Sequence, residues 1–356
     1  MKLNNKKILV FIFILVLGYC KSEDLKHIPK KETIIKDVCP RNNYEFYQNF
    51  IFYEYDVIKQ KDQLRVEHYP TSNERRIDLF YPYIKNKKGG YIGVGTDQNL
   101  TFIAWAKSDY AYLVDFDWVA VYINRLHLLF IDKSENFQQF REKWSLKNKK
   151  NTIQFIKNYF KDKEEQKKFL KAYSIALYPV QERFRDLEYM SKHFKFSSFH
   201  NNPEDFQYLK KMIQENKIYP IVGDINGTIT LQNIGKASKK LCVPIHVIYL
   251  SNAEEYYRYP ESFRKNIMSL NIDKDAIIIR TVTTGAKIFG YPEGEKYLEI
   301  PFHYNIQKVE NLIQWFQLEK LWIYHMLKYR RDIEKGFSIL ETTPLEAGLL
   351  QTSIQN

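Results

Sequence analysis

The sequence has 356 residues, of which 44% are hydrophobic; this excludes an intrinsically disordered chain and suffices for one large domain or two modest ones. The formal net charge is +12, from 54 Lys and Arg against 42 Asp and Glu. A basic surface suits acidic lipids, acidic glycans or nucleic acid. The lysines are dispersed along polar helical faces, which disfavours nucleic acid. Neither Cys-x-x-Cys nor His-Glu-x-x-His spacing occurs, so no metal site is expected.

The first twenty residues have the pattern of an export signal. Residues 1–7 contain three lysines and no acid, and residues 8–18 are an unbroken apolar run. Such a run is too short to span a membrane and has the length of a signal-peptide core, so we expect residues 1–19 to be a signal peptide. Residues 17–20, Leu-Gly-Tyr-Cys, resemble a bacterial lipobox of the relaxed kind found in spirochaete lipoproteins. The resemblance implies lipidation of Cys20 and anchoring to a membrane; a retained, uncleaved anchor is the alternative.

The remaining chain divides by composition. Residues 20–40 are polar and predict a tether, and residues 41–343 predict a single domain followed by a tail at 344–356. The domain opens with a helical part at 41–85, in which apolar residues recur at helical spacing over 42–64. Export permits a disulfide between Cys39 and Cys242. Two cysteines alone do not predict one, and we interpret Cys242, which lies in an apolar stretch, as a buried small hydrophobe.

Strands and helices alternate through most of the predicted domain. This alternation predicts an α/β fold with a doubly wound, mostly parallel sheet. A long helical insertion at about 133–217 separates the second strand from the third. The predicted strands are 90–95, 111–117, 219–224, 244–250 and 276–280, and the predicted helices are 100–107, 118–130, 228–240, 262–269 and 306–331.

The first candidate site is the turn after the first predicted strand. Gly93 and Gly95 let the backbone approach a ligand closely, and the next helix offers free N–H groups. Asp115 and Asp117 follow Gly95 by 20 and 22 residues, the distance at which an acid after the second strand holds ribose hydroxyls. The alternative interpretation is a tight turn followed by an exposed acid.

Two further candidates follow later strands. Asp224, after the third strand, is placed to accept a hydrogen bond from an adenine amino group, or else to cap the next helix. Ser251, Asn252 and Glu254 follow the fourth strand, where the crevice of a doubly wound sheet lies. The alternative is again capping, with Glu254 or its neighbour completing a capping box. Arg280, at the end of the fifth strand, is expected to face the same crevice and hold an anion.

These segments together resemble a largely uncharacterised bacterial family with a class I S-adenosylmethionine-dependent methyltransferase-like, Rossmann-like fold. The matching segments lie in the family's order and span residues 90–282, helical insertion included. They are residues 91–99, 111–117, 125–130, 222–224 and 249–252. The resemblance implies a pocket for S-adenosylmethionine or a related nucleoside, formed by Gly93, Gly95, Asp97, Asn99, Asp115 and Asp224. The fourth-strand motif lacks the two prolines of amino-methyltransferases, so their amine-orienting role is not carried over to residues 251–253.

Three functions follow from these patterns. An exported protein meets little S-adenosylmethionine, so we expect a ligand-binding protein or degenerate enzyme at the cell surface, at the outer membrane or in the periplasm. The first alternative is an active S-adenosylmethionine-dependent methyltransferase. The second is a surface adhesin that binds host matrix or acidic glycans through its basic exterior. The expected partners are the membrane, a nucleoside-type ligand and a surface polyanion.

Overall fold

The computed structural model describes residues 39, 45, 50, 54–58, 68–296 and 300–350. The predicted signal peptide, the lipidation site Cys20 and nearly all of the tether lie outside the described residues. All of the described residues belong to one compact unit. Among the described helices, none combines the length and the apolar character needed to cross a membrane.

The centre of the described chain is an eight-stranded sheet of order β3-β2-β1-β4-β5-β6-β8-β7. The first five strands in this order are mutually parallel, and β6 joins β5 antiparallel. β8 is parallel to β6, and β7 is antiparallel to β8. The strands are β1 Gly90–Gly93, β2 Tyr110–Asp115, β3 Ile218–Val222, β4 Ile245–Tyr249, β5 Ile272–Val282, β6 His303–Lys308, β7 Arg331–Glu334 and β8 Phe337–Leu340. The protein is therefore a mixed α/β protein with a mostly parallel sheet.

Helices cover both faces of this sheet, and α3 to α7 lie between β2 and β3 in the chain. In the part of the chain that the structure describes, two short 3-10 segments, Ile77–Phe80 and Ala253–Tyr256, supplement the α-helices. The helices are α1 Tyr81–Ile84, α2 Gln98–Ala106, α3 Trp118–Asp132, α4 Phe137–Lys143, α5 Lys149–Tyr159, α6 Lys163–His193, α7 Pro203–Gln214, α8 Thr230–Leu241, α9 Glu261–Ser269, α10 Thr284–Phe289, α11 Val309–Trp315 and α12 Ile323–Leu327.

Two hydrophobic cores lie on opposite faces of the sheet because successive strand residues point to opposite sides. Along β5, Ile277 and Ile279 join the core beneath α2, α3 and α6, whereas Ile278 joins the core beneath α8, α9 and α11. The parallel strands are apolar on both faces, as expected when helices cover a sheet on both sides. Burial on both faces fixes the register of the strands, and hence the loops at their carboxyl ends.

The helix predicted for residues 306–331 is wrong. His303–Lys308 forms strand β6, paired residue by residue with β5, and only then do the short helices α11 and α12 follow. The chain then returns as strand β7 from Arg331. The aromatic residues that suggested one helix are shared between the two short helices and their connections, so no single helical period connects them.

The helix predicted for residues 42–64 is too long. Glu45 and Phe50 are helical, whereas residues 54–58 are not, and residues 59–67 lie outside the described chain. Phe50 is fully buried, with its ring stacked on Tyr112 at a centroid distance of 4.7 Å. The Tyr112 hydroxyl donates to the carbonyl of Phe50 at 2.8 Å, which ties this segment to the sheet.

Cys39 and Cys242 form a disulfide, so the interpretation of Cys242 as a buried hydrophobe is wrong. Cys242 is exposed at the carboxyl end of α8, in a left-handed conformation with φ 55°. The two Cα atoms are 5.4 Å apart, an ordinary separation for a disulfide. The bridge links residues 203 positions apart and joins Cys39 to the carboxyl end of α8.

We expect the double variant Cys39→Ser/Cys242→Ser to lose about 2–5 kcal/mol of unfolding free energy, because closing so long a loop restricts the unfolded chain. Urea unfolding of the full-length protein measures the loss. Adding reductant should lower the stability of the wild type and leave the double variant unchanged. Detection of both Cys39 and Cys242 as free thiols in the unreduced wild-type protein would contradict the disulfide.

Candidate functional site

The predicted glycine turn lies at the carboxyl edge of the sheet, between β1 and α2. A Cβ atom on Gly93 would lie 1.9 Å from Oδ1 of Asn99, so this glycine makes room for a side chain of the protein itself. Asn99 is fully buried, accepts from the Tyr91 hydroxyl at 2.8 Å and donates to the carbonyls of Val94 and Thr96. Its polar atoms are therefore engaged inside the turn.

Gly95 is required by backbone conformation. Its φ of +79° is strained for other residues, and its N–H donates to Oδ2 of Asp115 at 3.0 Å. The other oxygen of Asp115 accepts from the backbone N–H of Asp117 at 2.8 Å. Burial raises the pKa of Asp115 to about 6. The predicted ribose-binding acid thus binds the glycine turn and its own loop.

Asp117 caps the amino terminus of α3. Its Oδ1 accepts from the backbone N–H of Val119 at 2.9 Å, which satisfies one of the free amides of the first turn. Its Oδ2 accepts from Nδ1 of His68 at 2.8 Å. Both carboxylate oxygens are therefore occupied, one by the helix and one by a segment that precedes the sheet.

Asp97 belongs to a buried ion pair. Its Oδ2 lies 2.9 Å from Nε of Arg183, and the side chains are 1% and 2% exposed. Arg183 comes from α6, and its guanidinium also donates to the carbonyl of Glu74 and the side chain of Gln98. The pairing joins the long helix to the first turn of α2, and Asp97 offers no free oxygen to a cofactor because Oδ1 accepts from Ser72.

Residues 68–76, hereafter the strap, cross the carboxyl ends of the central strands. His68 reaches Asp117 after β2, the Ser72 N–H reaches Asp97 after β1, and the Glu74 carboxylate reaches the ends of β4 and β5. Ligands of doubly wound sheets bind at this edge, at the point where the connections that follow two neighbouring parallel strands leave in opposite directions. Here those strands are β1, which connects to β2 on one side, and β4, which connects to β5 on the other. The strap lies in the place of the expected ligand.

Glu74 is the residue of the strap that enters the crevice most deeply. Its side chain is fully buried, and its Oε1 accepts from the hydroxyls of Ser251 at 2.8 Å and Thr281 at 2.9 Å. Burial raises the pKa of Glu74 above its ordinary value. Ser251, predicted to face a substrate, therefore binds the strap.

The end of the strap is held by a second buried acid. Oε2 of Glu295 accepts from the backbone N–H groups of Arg75 and Arg76 at 3.3 and 3.1 Å, and from the Tyr304 hydroxyl. Burial raises the pKa of Glu295 to about 7. Contacts of His68, Ser72, Glu74, Arg75 and Arg76 thus hold the strap at the ends of β2, β1, β4 and β5 and at Tyr304 of β6.

The expectation that Arg280 and Glu254 face the crevice is wrong. The two residues are 0% and 1% exposed and form an ion pair with each other in the interior. Arg280 also donates to Gln307 on β6 at 2.7 Å, and Glu254 accepts from the Tyr259 hydroxyl at 2.6 Å. Because β6 pairs with β5 here, Arg280 points towards a neighbouring strand that the sequence did not reveal.

The side chain of Asn252 contacts a residue close to it in the sequence. Its side-chain amide donates to Oε2 of Glu255 at 3.3 Å, and it precedes the 3-10 segment without forming a side-chain cap. The predicted capping box does not describe this arrangement, and the predicted substrate contact of Asn252 stays a prediction.

Asp224 does not cap α8. Its Oδ1 accepts from the N–H of Asn226 at 2.8 Å. The helix is capped from a distance by Asp56, which accepts from Thr228, Ile229 and Thr230 at 2.8–3.0 Å. A carboxylate at this position matches the positive end of the helix dipole. An amino-terminal segment thus occupies the anion-binding end of α8, close to the predicted adenine contact.

Sequence reasoning missed Glu74, Arg183, His68 and Asp56. Residues 68–76 lie in a passage that carries no periodicity, and Arg183 lies in a helix with many charged residues. The available signal was indirect: the charged residues Glu74, Arg75 and Arg76 are adjacent in the segment between Pro70 and Pro82.

A cavity opens beside the covered crevice. A cavity of about 580 Å³ lies between α3 and α6, next to the end of β3. Its lining is basic and aromatic: Trp118, Tyr122, Arg125, Glu165, Lys168, Lys171 and Val222. A cavity of this size accommodates a small molecule.

We predict that Asp97→Asn costs about 3–5 kcal/mol of unfolding free energy, because it leaves the buried Arg183 guanidinium without its counter-charge. The matched control is Glu182→Gln, which removes an exposed pair with Arg185 on the same helix and should cost about 0–1 kcal/mol. Urea unfolding measures both. Equal, small losses would show that Asp97 is not a structural ion-pair partner.

The comparison with known proteins gives a family and no named relative. No curated protein matches the chain. The family described as a domain of unknown function, DUF7790, matches residues 69–341, most of the chain. The matched region includes nearly all of the strap and excludes Asp56 and Cys39. The chain therefore belongs to the DUF7790 family.

Proposed function

We propose that the protein is an exported, lipid-anchored ligand-binding protein whose methyltransferase-like crevice is closed by its own strap and performs no methyl transfer. The observation that carries this proposal is the strap, whose Glu74 carboxylate is buried against Ser251 and Thr281 at the carboxyl edge of the sheet. Binding of a nucleoside cofactor along that edge requires the polar groups that the strap already engages.

The strand order supports a Rossmann-like assignment. The order β3-β2-β1-β4-β5, all parallel, corresponds to the first five strands of a doubly wound nucleotide-binding sheet. The antiparallel β6 departs from a wholly parallel arrangement. The four helices α4 to α7 occupy the region proposed as the insertion of a methyltransferase-like fold.

The hydrogen bonds of the crevice favour a binding protein over an enzyme. Asp117 binds His68, Asp97 binds Arg183, and Ser251 binds Glu74. A cofactor that competes for these groups must leave Arg183 or Glu74 buried without a partner, which is costly for a charged group. Nearly all of the strap also lies within the family's matched region.

The disulfide supports export. Disulfides persist in oxidising environments outside the cytoplasm and are rare in reducing compartments. The Cys39–Cys242 bridge therefore agrees with a signal peptide at residues 1–19. Lipidation of Cys20 would place the domain at a membrane, at the end of the polar tether.

Calorimetry of the full-length protein in detergent tests the proposed closure. We expect neither S-adenosylmethionine nor its demethylated product to bind with a Kd below about 1 mM. The proposal that the strap closes the crevice is contradicted if either ligand binds in the micromolar range and if Asp115→Ala abolishes that binding. The control Asp132→Ala should then keep the binding. Such a result would favour the active methyltransferase.

Metabolic labelling with a palmitate analogue tests the anchor. We expect the wild-type protein to incorporate the label and to partition with membranes, because Cys20 is the proposed acylated residue. The variant Cys20→Ser should lose the label, whereas Cys242→Ser should keep it. Equal labelling of wild type and Cys20→Ser would rule out this lipid anchor.

A further inference from the structure

The cavity between α3 and α6, hereafter the basic groove, has an excess of positive charge. Arg125, Lys168 and Lys171 face a single carboxylate, Glu165. That carboxylate already accepts from the Tyr122 hydroxyl at 2.7 Å and lies 3.5 Å from Lys168. Two of the three cations therefore have no carboxylate within 4 Å among the described residues.

Aromatic rings hold these two cations in place. The Arg125 guanidinium lies 5.0 Å from the centre of the Tyr122 ring, and the Lys171 ammonium lies 5.3 Å from that of Trp118. The two rings meet edge to face, with centroids 5.6 Å apart. Cation–π contact orients a positive group without neutralising its charge. The groove therefore presents oriented and uncompensated positive charge.

Arg125 also borders a second cavity, of about 530 Å³. This cavity is lined mainly by apolar and aromatic side chains from α3, α5, α6 and α7. They are Leu128, Leu129, Tyr159, Phe160, Phe169 and Ile213, with Asp132, Gln214 and Asn216 completing the wall. Arg125 thus lines both cavities, the first with a surplus of basic side chains and the second with several apolar and aromatic side chains.

We propose that this pair of cavities binds a small organic anion with an apolar body, such as an amphiphilic carboxylate. Its anionic group lies on Arg125 and Lys171 in the basic groove, and its apolar body packs between Leu128 and Phe160. Charge-assisted hydrogen bonds from a guanidinium suit a carboxylate, and burial of the apolar body supplies the remaining affinity. This assignment names the ligand class of the proposed binding protein and rests on that function.

The test uses the full-length protein in nanodiscs of zwitterionic lipid, with empty nanodiscs as the blank for partitioning. Calorimetric titrations compare decanoate with acetate, which lacks the apolar body, and with decanol, which lacks the charge. We expect decanoate to bind, decanol to bind at least about tenfold more weakly, and acetate to give no heat.

Variants locate the binding. Arg125→Gln should weaken decanoate binding about tenfold or more, and Lys171→Gln about threefold. The matched control, Arg185→Gln on the exposed face of α6, should leave the affinity unchanged. Because Lys171 is exposed, its variant remains informative if Arg125→Gln does not fold.

Equal decanoate binding by the wild type and both groove variants would overturn the assignment, as would equal binding of decanol and decanoate. Absence of decanoate binding would overturn it as well. These results concern the basic groove alone. Closure of the crevice is judged by S-adenosylmethionine and Asp115→Ala, so failure of one proposal is distinguishable from failure of the other.

Discussion

The buried pair of Arg183 and Asp97 connects the three parts of the protein that define the crevice. Removing both charges from water is costly, and the cost is offset only when further hydrogen bonds satisfy the remaining polar atoms. Arg183 meets this requirement by donating also to Gln98 and to the carbonyl of Glu74. Helix α6, the turn after β1 and the strap are therefore held in one arrangement. Moving any of them away would leave the Arg183 or Asp97 charge buried without its partners, which is energetically costly.

The closed crevice follows from this arrangement. Once Asp97 and the Glu74 carbonyl are fixed, the Glu74 side chain lies at the ends of β4 and β5, where two hydroxyls donate to it. Asp56 acts in a similar way at α8, placing an internal carboxylate where a helix amino terminus commonly binds an anion. Groups of the chain itself thus occupy two positions at which nucleotide-binding folds hold ligands, and the open basic groove lies beside them.

The sequence predicted those parts of the structure that depend on local pattern. The apolar runs of β1 to β5 and the helices between them follow from periodicity, whereas β6 to β8 were missed. Residues 306–308 of β6 were assigned to the helix predicted for residues 306–331. The candidate acids were found at the carboxyl edge by spacing, but their partners were not. Glu74 and Thr281 are 207 residues apart and Asp56 and Thr228 are 172 apart, and no local pattern specifies contacts at such separations.

The most direct test of the closed crevice is backbone hydrogen exchange in the strap. The N–H groups of Ser72, Arg75 and Arg76 donate to buried acceptors at 2.8–3.1 Å. Amides held in this way exchange only through opening of the surrounding structure. We predict that these three amides exchange as slowly as those of the central strand β1. Exchange at the rate of an unstructured peptide would show that the strap does not close the crevice.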